Sequence, residues 1–146
     1  MKFPFTYRKF KKIYSKVPRL SVDLVIKTEA GVLLTKRDTI PYMGAWHIPG
    51  STVYHNEPVI EAARRVAKEE LGIGIKAIKL IGYIEYVSVQ NETPFDWPVA
   101  LVFEAKVASG SPMPGRQSIE VGYFTDTPLP DIPEQTTFLK AHRYYQ

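Results

Sequence analysis

The chain has 146 residues, of which 45% are hydrophobic, and its 19 Lys and Arg against 15 Asp and Glu give a formal charge of +4. This length suits one domain with its own core over residues 1–146, and the absence of cysteine excludes a disulfide framework, a thiolate metal site and a thiol nucleophile. No apolar run approaches the ~20 residues of a membrane-spanning helix, so we expect a cytoplasmic protein without a membrane partner.

The basic residues are concentrated at the start of the chain. Residues 1–20 hold seven Lys or Arg and no acid, which leaves 12 basic and 15 acidic residues in the rest. Phe10, Ile13, Tyr14 and Val17 have helical spacing, which predicts a basic amphipathic helix whose apolar stripe lies on the domain. We expect the lysines on its outer face to be solvated and no nucleic acid among the partners; the alternative is a contact with nucleic acid or an anionic membrane.

Strand-like patterns follow this segment. Residues 21–28 and 31–37 are separated by a short turn, which predicts a hairpin. Two short extended pieces are predicted at 45–48 and 51–54. The next stretch differs, because the period of its apolar residues changes from two to 3.6.

The clearest helix is predicted for residues 58–71, with Pro58 at its first position and Gly72 as its C-terminal stop. Residues 75–89 and 97–107 are rich in Ile, Val, Tyr and Phe and predict two longer strands.

A loop, a last strand and a closing helix are predicted at 109–116, 119–125 and 137–145. Strands around one central helix, with a further helix towards each end, indicate an α/β fold. Because hairpins occur, the sheet is predicted to be mixed.

Two adjacent carboxylates, Glu69 and Glu70, lie near the C-terminal end of the predicted central helix. They would repel each other and the helix dipole, an arrangement that favours a compensating cation. Mg²⁺ prefers such oxygen ligands, and a backbone carbonyl at Gly50 could join them. The alternative is a solvated helix face on which the two glutamates pair with Arg65 and Lys68.

The run from Gly50 to Ile73 resembles the Nudix box, G-x5-E-x7-R-E-U-x-E-E-x-G-U, in which U is apolar. Its flanks, LLTKRDTIPYMGAWHIPG and IEVGYFTDTPLP, resemble the same family. The resemblance implies a Nudix-fold α/β/α sandwich with a mixed sheet. It also implies a site for Mg²⁺, or alternatively Mn²⁺, with Glu70 as principal ligand and Glu69 and the Gly50 carbonyl as helpers.

Other positions of the box divide into matches and departures. The resemblance implies a structural role for Gly72 and an ion pair between Glu57 and Arg65. One extra residue separates Gly50 from Glu57, and Val66 stands where the box has a glutamate that binds metal or activates water. An apolar side chain can do neither.

Both departures resemble the GDP-mannose mannosyl hydrolase branch of the family, which breaks the sugar-to-phosphate bond at the sugar carbon. Gln117 falls where that branch has a metal-ligating glutamine. Ser118 stands in place of its general-base histidine, and Ser51 and Thr52 in place of an arginine.

The sequence therefore does not identify the group that activates water. Glu69, the metal ion or a group from another loop could do it, and His47 and His55 are the histidines that flank the Pro-Gly turn.

Substrate contacts are predicted from arginine and aromatic residues. Arg37 matches phosphate oxygens in two-point contact and is predicted to stabilise the leaving diphosphate, unless it is a surface charge beside Asp38. Trp46 and Tyr86 are candidates for stacking on the substrate, and Tyr86 belongs to an aromatic stretch with Tyr83, Phe95 and Trp97 that could frame a nucleobase. Alternatively, these rings are core and sheet residues.

The predicted function is Mg²⁺-dependent hydrolysis of a nucleoside diphosphate linked to another group, best a nucleotide sugar. One alternative is a pyrophosphohydrolase of ADP-ribose or a nucleoside triphosphate. Another is a Nudix-fold nucleotide-binding module without turnover. The expected partner is a small-molecule nucleotide, and a homodimer is a further option.

Overall fold

The computed structural model describes residues 3–146, which form three helices and a seven-stranded sheet. The helices are α1 (Tyr7–Tyr14), α2 (Val59–Leu71) and α3 (Pro133–Ala141). The strands are β1 (Arg19–Thr28), β2 (Gly31–Arg37), β3 (Trp46–His47), β4 (Gly50–Thr52), β5 (Gly74–Glu85), β6 (Pro98–Ser109) and β7 (Ser118–Phe124). A short 3₁₀ helix covers Ser88–Asn91.

The sheet is mixed, as predicted. Its main path runs β3-β2-β1-β6-β5, and β4 and β7 pair with β1 and β2 respectively. The β1–β6 pairing is parallel and the other strand pairings are antiparallel. Strand β1 therefore lies at the centre, where parallel and antiparallel partners meet.

Apolar side chains cover both faces of the sheet. Along β1, residues 21–26 are all buried, and successive side chains point to opposite faces. Leu24 packs with the buried face of α2, whereas Val25 packs with Phe138 of α3. One helix on each face makes three layers, so the predicted α/β/α sandwich is confirmed.

Helix α2 begins and ends as its flanking residues dictate, with one correction. Pro58 has an extended backbone, with ψ of 140°, and is the N-cap, so the first helical residue is Val59. The Pro58 carbonyl accepts the first helical hydrogen bond, from the Ala62 amide at 2.9 Å. Gly72 has φ of +68°, a left-handed conformation that glycine adopts without steric cost, and it ends the helix as predicted.

The predicted basic segment over residues 1–20 is helical only from Tyr7 to Tyr14. Thr6 caps this helix by accepting a hydrogen bond from the Lys9 amide at 3.3 Å. The last part of the segment already belongs to β1. Residues 1–2 of the prediction lie outside the described part of the chain.

Two further elements have wrong bounds, and the closing helix predicted for 137–145 is shifted at both ends, to Pro133–Ala141. The strand predicted to reach residue 89 ends at Glu85, because the carboxylate of Glu134 binds the amide and hydroxyl of Ser88, at 2.7 and 2.5 Å, where the chain forms its 3₁₀ helix. The closing helix begins at Pro133, four residues before the prediction, since proline suits a first helical turn. Within residues 3–146, no helix is both long and apolar enough to cross a bilayer.

Candidate active site

A cleft of about 650 Å³ lies against the first half of β1. Arg19, Ser21 and Asp23 line it, because alternate residues of a strand face the same side. Two sets of side chains meet in this cleft. The charged set comprises Asp23, Arg37, Glu70 and Arg116, and an aromatic set comes mainly from the segment before β1.

Glu70 is the buried carboxylate of the charged set. Its residue is 4% exposed and lines the cleft near the end of α2. Burial raises the pKa of Glu70 to about 7, although the positive charges of Arg116 and Arg37 act in the opposite direction. Within residues 3–146, no basic side chain lies at ion-pair distance from Glu70. A carboxylate held this way fits a divalent cation, which would offset the cost of burying the charge.

Glu69 points elsewhere. Its Oε2 lies 3.2 Å from Arg65 Nη1 and 3.6 Å from Arg116 Nη1. Among the described residues that line the cleft, Glu70 is present and Glu69 is not, since neighbouring helical positions point about 100° apart. The structure thus separates the two glutamates that the sequence grouped together.

Gly50 and Gln117, the other two predicted metal ligands, both line the cleft. Gly50 pairs with Asp23 across β4 and β1, and a Cβ at this position would collide with the Asp23 carboxylate. Glycine is therefore required for the close approach of the two strands. In residues 3–146, no three His, Asp or Glu side chains cluster as a metal site, so a bound ion would also need backbone, amide or substrate oxygens.

Glu57 and Arg65 form the ion pair that the box resemblance implies. Arg65 Nε lies 2.7 Å from Glu57 Oε2, and Arg65 Nη2 donates to the carbonyl of Thr52 at 2.8 Å. The guanidinium also covers the ring of Tyr54, 3.8 Å from its centroid. These contacts tie the loop after β4 to helix α2, and the pKa of Glu57 is lowered by its hydrogen bond from Arg65.

Arg37 reaches the cleft from the end of β2. Its Nε donates to the carbonyl of Pro41 at 2.6 Å, and its Nη1 lies 3.5 Å from His47 Nε2. Burial lowers the pKa of Arg37, and the negative charge of Glu70 partly offsets this. The guanidinium is held in the cleft that Glu70 also lines, not on the outer surface.

Neither histidine considered for water activation is suited to it, and neither is the serine that replaces the base of the mannosyl hydrolase branch. His47 is buried beside Arg37, and burial together with that charge lowers its pKa to about 3. His55 is exposed and does not line the cleft. The hydroxyl of Ser118 accepts a hydrogen bond from the Gly115 amide at 3.2 Å and also lies outside the cleft lining.

The two predicted stacking residues do not face the cleft as open rings. Trp46 packs edge-on against Phe124, with centroids 4.8 Å apart, and does not line the cleft. Tyr86 lies in the cleft floor, where its hydroxyl donates to Asp23 and accepts from Gln135 Nε2 at 2.8 Å. Tyr86 therefore positions a buried carboxylate.

Asp23 and Arg116 are cleft residues that sequence reasoning missed. Burial raises the pKa of Asp23 to about 7, while the Tyr86 hydroxyl and the charges of Arg19 and Arg37 lower it. The available signal was a single acid within the apolar run SVDLVI of a central strand, where an acidic side chain is seldom buried.

Arg116 is placed by the loop that precedes β7. The Met113 amide donates to Leu71 and the Arg116 amide to Glu69, at 3.0 and 3.1 Å. Gly115 packs so closely on the end of α2 that a Cβ would collide with the Glu69 carbonyl. The loop thus satisfies open carbonyls of the helix terminus and places Arg116 near Glu70.

The fold, the box residues and the charged cleft define a Nudix protein. The NUDIX domain family matches residues 17–137, which is most of the chain, and the chain belongs to the Nudix hydrolase family. In the 74 residues that align, it is 46% identical to the low-salt glycan biosynthesis protein Agl8 of Haloferax volcanii, over 51% of this chain and 47% of the relative.

Two further relatives extend over more of the chain. An ADP-ribose pyrophosphatase of Methanocaldococcus jannaschii is 31% identical over 79% of this chain and 66% of its own length. The chain thus spans about half to two thirds of these curated relatives. The crystal structure of a MutT NUDIX hydrolase from Burkholderia pseudomallei matches with a TM-score of 0.77 and 30% identity, over 85% of this chain and 97% of that one.

Proposed function

We propose that this protein hydrolyses a nucleoside diphosphate linked to a second group, with a nucleotide sugar as its preferred substrate and Mg²⁺ as its preferred ion. The observation that carries the proposal is the buried Glu70 carboxylate in a cleft that also holds Arg37 and Arg116. One buried acid and two arginines in the same cleft suit a cation and a diphosphate bound together.

Glu70 would be the principal ligand of the ion, joined by the Gly50 carbonyl and Gln117. When bound, Mg²⁺ or Mn²⁺ would neutralise charge on the diphosphate and lower the pKa of a coordinated water. Glu69 would contribute indirectly, by holding Arg65 and Arg116 through its ion pairs.

Arg37 would bind the departing diphosphate. Its Nε is engaged by the Pro41 carbonyl, which fixes the plane of the guanidinium before substrate arrives. A pre-oriented donor stabilises developing negative charge without reorganising during the reaction.

Attack at the sugar carbon is favoured because Val66 stands where the box has a glutamate. Val66 is fully buried in the core between α2 and the sheet, so this helix position presents no base to the cleft. A route that expels an intact nucleoside diphosphate resembles that of the GDP-mannose mannosyl hydrolase branch. The similarity to a glycan biosynthesis protein also favours a sugar-bearing substrate.

The second candidate is attack at phosphorus on ADP-ribose. It is favoured by the 31% identity to an ADP-ribose pyrophosphatase over 79% of the chain. Both candidates use the same charged set and differ in the bond that breaks.

The test is ³¹P NMR of reactions in ¹⁸O-labelled water, with Mg²⁺ and either GDP-mannose, ADP-glucose, ADP-ribose or a nucleoside triphosphate. A nucleoside diphosphate product without ¹⁸O is expected, because attack at the sugar carbon places the label on the sugar. Label on a phosphate would overturn the preferred route in favour of pyrophosphate cleavage. Nucleotide binding without any product would identify a binding module and overturn the hydrolase proposal.

A further inference from the structure

The aromatic set of the cleft is formed by five side chains around the start of β1. Four come from the N-terminal segment and one from the loop before β6, and they are Phe3, Phe5, Tyr7, Phe10 and Phe95. Four of these rings are only partly buried, and Tyr7 is 66% exposed. The charged set and the N-terminal aromatic segment, far apart in the sequence, therefore share one cavity.

The rings meet edge to face, with none stacked flat on another. Phe10 contacts Phe95 at a centroid separation of 6.2 Å and an interplanar angle of 90°. Phe3 contacts both Phe5 and Phe10 at angles of 70° and 61°. Such a cluster presents ring surface to the cleft, on which a flat heteroaromatic group can stack.

The aromatic set packs on Arg19, an arginine that hydrogen bonds hold in place. Arg19 donates to both carboxylate oxygens of Asp96, at 3.0 and 2.7 Å, and to the hydroxyl of Thr52 at 2.9 Å. The guanidinium carbon of Arg19 lies 5.4 Å from the centroid of the Phe10 ring. Because its guanidinium is held in place, Arg19 positions the Phe10 ring over β1 and makes a cation–π contact with it.

The spacing along β1 relates the two sets. Arg19 lies under the aromatic set, and Asp23, which belongs to the charged set, contacts Gly50. Four residues of strand span about 13 Å. This span is comparable to an extended nucleoside diphosphate, with its phosphates at one end and its base at the other.

We propose that the aromatic set, through Phe10 and Phe95, stacks the nucleobase of the substrate while Arg37 and Glu70 serve the diphosphate end. This inference rests on the proposed function and names the part of the cleft that distinguishes a nucleotide from inorganic pyrophosphate. It assigns base stacking to the N-terminal segment and the loop before β6, and not to Trp46 or Tyr86.

The test compares the binding of GDP, ADP and inorganic pyrophosphate, each with Mg²⁺, by isothermal titration calorimetry. The variants are Phe95→Leu and the double variant Phe10→Leu/Phe95→Leu, which keep apolar volume but remove the flat rings. Tyr83→Leu is the control, because Tyr83 is an exposed aromatic residue outside the cleft. Thermal unfolding of each variant checks that the fold is retained, and Phe95→Leu changes no residue of helix α1.

We expect the double variant to bind GDP or ADP at least about tenfold more weakly than wild type and to bind pyrophosphate equally well. Tyr83→Leu should have no effect. Wild-type nucleotide affinity in a folded Phe95→Leu variant and in the double variant would overturn the stacking site and leave the proposed function standing. An equal loss for pyrophosphate would also overturn it, because the effect would not involve the base. A wild-type protein that binds none of the three would overturn both proposals.

Discussion

The guanidinium of Arg37 and the ring of His47 lie against each other in the cleft wall, with Nη1 3.5 Å from Nε2. The other ring nitrogen, Nδ1, lies 2.8 Å from the carbonyl oxygen of Thr35, which can only accept. Nδ1 therefore carries the hydrogen, and Nε2 is left to accept from Arg37. His47 thus supports the arginine, and this tautomer leaves it without a free nitrogen to act as the base.

Arg37→Lys should lower kcat by about 100-fold, because lysine keeps the charge but loses the fork that bonds to Pro41 and faces the diphosphate. Steady-state kinetics on the substrate identified by NMR would measure the effect. Arg64→Lys is the matched control, since Arg64 is exposed on α2 and pairs only loosely with Glu61. Equal rates for wild type and Arg37→Lys would remove Arg37 from the reaction.

The pH dependence of stability should contain a term from His47. Its folded pKa, about 3, is below the ordinary 6.5, so the unfolded chain binds a proton that the folded protein does not. The stabilisation is complete above pH 6.5 and is lost as pH falls towards 3, by up to ~1.4 kcal/mol per pH unit.

Asp23 and Glu70 act in the opposite direction, because their folded pKa values near 7 lie above the ordinary values of 3.8 and 4.5. Their contributions to the free energy of unfolding are therefore lost as pH rises from about 4 to about 7. Urea unfolding of wild type and His47→Gln at pH 7, 6, 5 and 4 separates the terms. The stability difference between the two proteins should shift against wild type as pH falls, and parallel curves would contradict the assignment.

Glu70→Gln should abolish Mg²⁺-dependent turnover while the free energy of unfolding in the absence of metal stays equal or rises. The amide has no charge to bury, whereas the glutamate does. The Mg²⁺-induced rise in melting temperature should also disappear, since it requires binding to the folded state. Glu61→Gln, on the exposed face of the same helix, should behave as wild type. Retained turnover in Glu70→Gln would exclude this residue as the principal ligand.

The Glu57–Arg65 pair should contribute far more to stability than the Glu61–Arg64 pair of the same helix. The first pair is 12% and 10% exposed and holds the loop after β4, whereas the second is 61% and 52% exposed. Glu57→Gln should lower the free energy of unfolding by about 2 kcal/mol or more, and Glu61→Gln by at most about 0.5 kcal/mol. Denaturant titrations of both variants would measure these changes. Similar losses of unfolding free energy in the two variants would show that the Glu57–Arg65 pair stabilises the fold no more than an exposed pair.

The sequence by itself determined the family and most of the framework. The spacing from Gly50 to Gly72 indicated the Nudix box, and the helix over 58–71 was predicted within one residue, because proline and glycine restrict the backbone locally. The hairpin of β1 and β2 was likewise readable from alternation and a short turn. These features depend on neighbours close in the chain.

Element boundaries that depend on distant partners were missed. The strand predicted to reach residue 89 ends at Glu85, where a carboxylate from α3 binds Ser88. Nothing near position 88 in the sequence reveals a partner 46 residues away.

Only the tertiary structure decided which members of the box face the cleft. Glu69 and Glu70 are adjacent and chemically identical, yet one pairs with arginines and the other is buried in the cleft, because the helix turns by about 100° between them. The same packing brings Asp23 of a central strand, Arg116 of a loop and the aromatic N-terminal segment into one cavity. Side-chain direction and long-range pairing, which no local pattern encodes, made these residues a site.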